Sequence, residues 1–383
     1  MSGKCKELFA IIDSLYDEYM KVWADVCGIE SPTSDKAGVD AVGKYLSDLA
    51  RSLDFSVNTY PEPVSGDFIE IIMNPEAKGR PVCTSAHLDT VFPKGVFGYP
   101  PVRTDEEKIY GPGVVDCKGG AVAALMAMDA LATAGFTARP VKLLLQTDEE
   151  INSSTSEGRT VRRMCELSAD AEAFLNCEGH KGRATVARKG ILTYNFKVRG
   201  VACHSARCYE GKNAITEAAH KIIEIERWKE KDGITCNVAI IGAGTVVNVV
   251  PDECSFSVNV RYPDDQSREL IDRTLREIAD RSYIGDTTCE VVCNTGRPAM
   301  EYVPRNVELL RRMNEIYESE GLPVLQENHE HGGSDTAYTT AYGIPSIDSL
   351  GTQGGSIHST GEFAYKRSLL EAAKRIASVI YCL

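Results

Sequence analysis

At 383 residues the chain is long for one hydrophobic core, so two domains are the default expectation. Its 43% hydrophobic and 25% charged residues, with no apolar run long enough to span a bilayer, are those of an ordinary globular protein and predict no membrane partner. A net charge of -13, with no basic stripe carrying interleaved aromatics, opposes binding to nucleic acid.

Thirteen cysteines scattered without metal-finger spacing fit a reducing cytoplasm better than a disulfide framework. The opening Met1 to Lys6 leads into a polar amphipathic segment instead of an apolar leader core, so no export signal and a cytoplasmic location are expected.

Helical periodicity runs from Glu7 to Val26, and a second helix is expected after Ser34, its N-cap, through to Leu53. Segments 55–60 and 68–73 read as strands bounded by Pro and Gly, and nothing up to this point suggests chemistry. A short buried strand, Pro81 to Ala86, ends in His87-Leu88-Asp89-Thr90. There Asp89 could accept one ring N–H of His87 and leave the other nitrogen for a metal. Taken alone, this triplet reads equally as a satisfied structural histidine.

Tyr110 to Gly120 is a Gly/Pro turn carrying Asp116 and Lys118, followed by an Ala/Met/Leu-rich helix to Ala134. A phosphate loop fails on spacing, because Lys118 precedes the Gly pair. Strand Val141 to Gln146 comes next and closes in Thr147-Asp148-Glu149-Glu150. A predicted helix over 157–167 leads to strand Ala173 to Cys177, which ends at Glu178. His87, Asp116, Glu149, Glu150 and Glu178 thus fall on one rim of a common sheet, where α/β folds place their chemistry. Like charges so close raise one another's pKa unless a cation joins them. A histidine among carboxylates suits zinc, and a bridging carboxylate suggests two ions.

The blocks Ser85-Ala-His87-Leu-Asp89-Thr90, Gly111 to Gly120, Thr147-Asp-Glu149-Glu150 and Cys177-Glu178 resemble the metallopeptidase family of glutamate carboxypeptidase, acetylornithine deacetylase and succinyl-diaminopimelate desuccinylase. The similarity runs over nearly the whole chain, and the motifs look most like glutamate carboxypeptidase. It implies a zinc-peptidase-like α/β/α catalytic domain, residues 1–189 and 299–383. Into it is inserted a ferredoxin-like α+β lid and dimerisation domain, residues 190–298. The insert's own pattern agrees: strand 191–199, helix 213–229, strands 235–243 and 254–261, helix 267–283 and strand 288–293 form a split β-α-β.

By the same resemblance His87 and Glu178 hold one zinc, Glu150 and His358 the other, and Asp116 bridges them before a cis peptide to Cys117. Cobalt or manganese could replace zinc. Glu149 is the general base, Asp89 orients His87, and His204 of a homodimeric partner stabilises the oxyanion. Asn248, Arg261, Arg297 and Gly333 contact substrate, and Glu362 matches an acidic residue the family usually has after the last ligand. The expected reaction is hydrolysis of an amide or peptide bond beside a free carboxylate, on a small peptide. An N-acyl-amino-acid deacylase and a catalytically idle binding protein are the alternatives. Helices at 306–320 and 367–381, a glycine loop at 331–336 and a strand at 346–350 complete the chain.

Overall fold

A computed structural model describes residues 5–180 and 182–383. Met1 to Lys4, on which part of the expectation about export rests, lie outside the described residues. The described residues fall into two compact units. One takes in Met1–Val186, Tyr302–His329 and Tyr338–Leu383; the other takes in Ala187–Glu301 and Glu330–Ala337. No described helix is long and apolar enough to cross a membrane.

The larger unit is built on a six-stranded sheet. Its order is Ser56–Tyr60, Phe68–Met73, Val141–Gln146, Val82–His87, Ala173–Asn176 and Ser346–Ile347. The last four strands run parallel, while the first two form an antiparallel edge. Parallel strands covered on both faces must be apolar throughout, and Val82–His87 is buried at every position. Helix Lys118–Thr133 is likewise buried on nearly all sides, because the sheet lies on one side of it and the first two helices and Arg367–Cys382 pack on the other. Its N-terminus approaches the end of strand Ala173–Asn176 so closely that a Cβ at Gly120 would sit 1.9 Å from the Cys177 carbonyl oxygen. Only glycine fits there.

A small second sheet, Gly354–Gly355, Phe363–Tyr365, Lys108–Tyr110 and Arg103–Thr104, pairs Phe363 with Tyr110. It brings the turn containing Asp116 beside the segment containing His358, although about 240 residues separate them in sequence. These two-to-three-residue strands are too short to show periodicity and were not expected.

Three local expectations change. The first helical run is two helices, Lys6–Ser14 and Tyr16–Gly28, parted at Leu15, whose N–H reaches the carbonyls of both Ile11 and Ile12. The next helix is Lys36–Ser52 and is capped by Asp35, not Ser34, because the Asp35 carboxylate accepts the Gly38 N–H. The strand expected over 346–350 stops at Ile347, since Asp348 and Ser349 turn away, the latter with φ 67°.

The smaller unit is a four-stranded antiparallel sheet in the order Thr235–Ala243, Glu253–Tyr262, Gly190–Arg199, Thr288–Arg297. Helices Ala214–Glu226 and Asp265–Asp280 cover one face. Alternation decides which residues go inward: Tyr194, Phe196, Val198, Phe256, Val258 and Val260 are buried, and the rings of Phe196 and Phe256 stack 4.6 Å apart. The chain order and strand order together are the ferredoxin-like arrangement.

Candidate metal centre and active site

Three parallel strands end side by side, His87 opposite Gln146 and Ser85 opposite Asn176. The residues just beyond those ends therefore share one rim. His87 Nε2 lies 3.0 Å from Asp116 Oδ1 and 3.6 Å from Glu178 Oε1. His358 Nε2 lies 3.2 Å from the other Asp116 oxygen, Oδ2, and 3.2 Å from Glu150 Oε2. One carboxylate thus faces two imidazoles, each of which also meets a further carboxylate. Glu149, immediately before Glu150 in a single 3-10 turn, is 8% exposed. The Asp116–Cys117 peptide is cis.

The electrostatics of the cluster test whether a cation suits it. Burial pushes Glu178 well above the ordinary carboxylate range, with Asp116 and Glu149 adding to the shift. Burial likewise pushes Glu150 up to about 7, again helped by Asp116 and Glu149. Hydrogen bonds to Asp116 and Glu150 raise the His358 imidazole to about 10. Burial opposes charge on Asp116, yet its contacts with His358 and His87 hold it below the usual range. The cluster therefore keeps protons where it needs positive charge. Two imidazoles and three carboxylates are a fitting donor set for divalent zinc-like ions, which would supply that charge. His87, Asp116 and Glu150 each offer a ligand atom within 4.8 Å of the others, as do His87, Cys117 and Glu178.

Asp89 is placed differently from the expectation. The nearest acceptor for His87 Nδ1 is the Asp89 backbone carbonyl at 3.0 Å, while the carboxylate lies at 3.4 Å. That carboxylate instead collects the backbone N–H groups of Glu149 and Glu150, each at 3.2 Å, and the Thr33 hydroxyl at 2.7 Å. It locks the catalytic turn to the end of the neighbouring strand. Thr33 sits in the segment read as free of chemistry, and no local signal could have revealed its partner 56 residues away. Glu362 accepts the backbone N–H groups of Gly113, Val115 and Asp116 at 3.3, 3.0 and 3.1 Å, fixing the loop that aims Asp116. Lys118 is fully buried and donates to the Ile29 carbonyl at 2.7 Å, so it faces away from any phosphate.

In the smaller unit, exposed His204 accepts the Ala206 N–H on Nδ1 at 3.1 Å, which leaves the proton of the neutral ring on Nε2. Asn248 lies alongside, its carbonyl accepting the Ser205 N–H at 2.9 Å. Arg261 and Arg297 both pair with Ile191, from the strands on either side of it. Arg261 is half-buried, with Nε 3.2 Å from Asn259 Oδ1. Arg297 is only 3% exposed, and its Nη2 lies 3.8 Å from Asp335 Oδ1. Gly333 lies against it, where a Cβ would meet Arg297 Cδ at 2.8 Å.

The sequence matches the model of peptidase family M20/M25/M40 over residues 83–381. The chain belongs to this family. It is a metal-dependent hydrolase of peptide bonds. Carboxypeptidase G2 of Pseudomonas sp. (strain RS-16) is 28% identical to this M20 member over 346 residues, 89% of this chain and 83% of that protein. In fold, aminopeptidase PepT of Bacillus cereus superposes with a TM-score of 0.80 at 19% identity, over 95% of this chain and 98% of that one. A dinuclear metal-binding M20 peptidase of Bacillus subtilis gives 0.74 at 15% identity, over 96% and 98%.

Proposed function

We propose that this M20 peptidase cleaves an amide or peptide bond next to a free carboxylate, on a small peptide or N-acyl amino acid, with two zinc ions. The observation that carries this reading is the division of Asp116 between His87 and His358. His87 and Glu178 would hold one ion, His358 and Glu150 the other, and Asp116 would join them. When bound, such a pair polarises a carbonyl oxygen and brings a water's pKa toward about 7.

The chain's own groups do the rest. Glu149 is adjacent to these donors and buried at 8%; it accepts the attacking water's proton and returns it to the leaving amine. Asp89 keeps Glu149 in place through its backbone. Arg261 binds the substrate carboxylate, Asn248 contacts the substrate, and the Nε2–H of the partner subunit's His204 meets the developing oxyanion, a contribution of about 3 kcal/mol for one donor. Arg297 and Gly333 shape the ground beside Arg261. In this reading residues 190–298 form a lid and dimerisation domain. Exposed Ile240, Ile241, Val246 and Val247, on and just after the edge strand Thr235–Ala243, support a homodimer. The reducing location suggested by thirteen free cysteines supports a cytoplasmic enzyme.

The deciding experiment compares wild type with Glu149→Gln, both reloaded with zinc after chelation, on dipeptides and N-acyl amino acids with free or amidated C-termini. Wild type is expected to cleave only the free carboxylates, while the variant loses about 10²- to 10⁴-fold in kcat with its metal content intact. A variant of full activity would remove Glu149 from the chemistry, and equal cleavage of the amides would remove Arg261 from recognition.

A further inference from the structure

Away from the metal centre, three donor atoms converge where the first helix begins and the last one ends. Cys5 precedes helix Lys6–Ser14 and is fully buried, and Cys382 is the final residue of helix Arg367–Cys382. Their sulfurs are 3.8 Å apart. Glu320, just past helix Pro304–Ser319, accepts the Cys5 N–H at 2.9 Å through Oε2. Each of the three residues offers a ligand atom within 4.8 Å of the other two.

We propose that Cys5, Cys382 and Glu320 form a separate structural site for a thiophilic divalent cation such as zinc. Two sulfurs bound tetrahedrally to one zinc at about 2.3 Å lie about 3.8 Å apart, which is the spacing found. A disulfide would draw them to about 2 Å and give the carboxylate no part. Glu320 is held beside the pair by the Cys5 N–H, so the third donor is already positioned. Partial exposure of Cys382 and Glu320 leaves room for water as a fourth ligand. The neighbouring Cys382 thiol, burial and Glu320 all hold the Cys5 thiol far above its ordinary range. Both cysteines therefore stay protonated until a cation binds, and binding releases their two protons to solvent. The bound ion would tie together three helices that meet at the chain's two ends. It shares no residue with the catalytic cluster and does not depend on that cluster's reading.

The test measures the zinc content of the full chain after gel filtration, in wild type and in Cys5→Ser/Cys382→Ser. Wild type is expected to retain one more equivalent than the variant, with the same peptidase activity in both. Cobalt-loaded wild type should show a thiolate-to-cobalt charge-transfer band that weakens in the variant. Equal zinc content in the two proteins overturns the proposal. So does wild type that lacks two titratable thiols until a reductant is added and carries no extra zinc, because the pair is then a disulfide. Should the double variant fail to fold, Glu320→Gln keeps both thiols and an oxygen for the Cys5 N–H. Its extra zinc should bind about tenfold or more weakly, and unchanged affinity overturns the third donor.

Discussion

The carboxylate of Glu362 accepts the backbone N–H of Asp116 at 3.1 Å, across 246 positions of sequence. The same oxygen accepts the Val115 N–H, and its partner oxygen accepts that of Gly113. Glu362→Gln keeps one acceptor oxygen and places an amide N–H against a backbone N–H. Loss of such a supporting contact typically weakens metal binding about 10- to 100-fold. Competition against a chromogenic chelator should show that loss, and excess zinc should restore most of the activity. Unaltered affinity would mean that the loop holds Asp116 without Glu362.

Arg261 provides a second prediction. If it binds the substrate carboxylate, Arg261→Ala removes a charge-assisted contact of about 1.5–3 kcal/mol and raises KM about 10- to 100-fold, with a smaller change in kcat. The defect should be absent for substrates whose carboxylate is amidated, if any are turned over. An equal defect on both would point to misfolding of the smaller unit.

Stability of that unit rests on a buried ion pair. Lys221 Nζ lies 3.0 Å from Glu217 Oε1, and both side chains are 1% exposed. Lys221 also donates to the carbonyls of Ile278 and Ala279 at 2.8 and 3.0 Å, closing the end of helix Asp265–Asp280. Glu217 accepts the N–H groups of Tyr283 and Ile284 beyond it. Lys221→Met strands a buried carboxylate and those carbonyls, at a cost of about 3–5 kcal/mol. Urea unfolding followed by the fluorescence of Trp228 should register the shift, while zinc content stays unchanged.

His180 supplies a pH signature. Burial, reinforced by Arg375, pushes its imidazole down to about 4, and Nδ1 accepts the Gly182 N–H at 2.8 Å. A depressed folded-state pKa means that the unfolded chain binds the proton first. The associated stability is fully present above about pH 6.5 and is lost as pH falls toward 4. His180→Asn should therefore narrow the stability gap to wild type between about pH 7 and pH 4.5, as read by parallel denaturant titrations. A gap independent of pH would show that the ring is not held neutral.

The rim of the sheet was legible because strand ends are local events. The apolar runs ending at His87, Gln146 and Cys177 can be read without knowing what they pack against, and the carboxylates follow within a few positions. The smaller unit was legible for a similar reason: strict alternation in Glu253–Tyr262 and long amphipathic helices fix its element order. What escaped notice depends on partners remote in sequence. Thr33, the triple grip of Glu362 and the cap formed by Lys221 have no local pattern, since each makes sense only beside backbone groups that the fold delivers. Asp89 was assigned to His87 by proximity, whereas much of its hydrogen bonding goes to the turn of Glu149 and Glu150.

Because Asp116 presents one oxygen to each imidazole, the two halves of the centre have no independent settings. A rotation that improves the fit at His87 necessarily withdraws the oxygen offered to His358. Damage on either side should therefore propagate to the other, and loading curves should show a single linked transition where two autonomous pockets would give two.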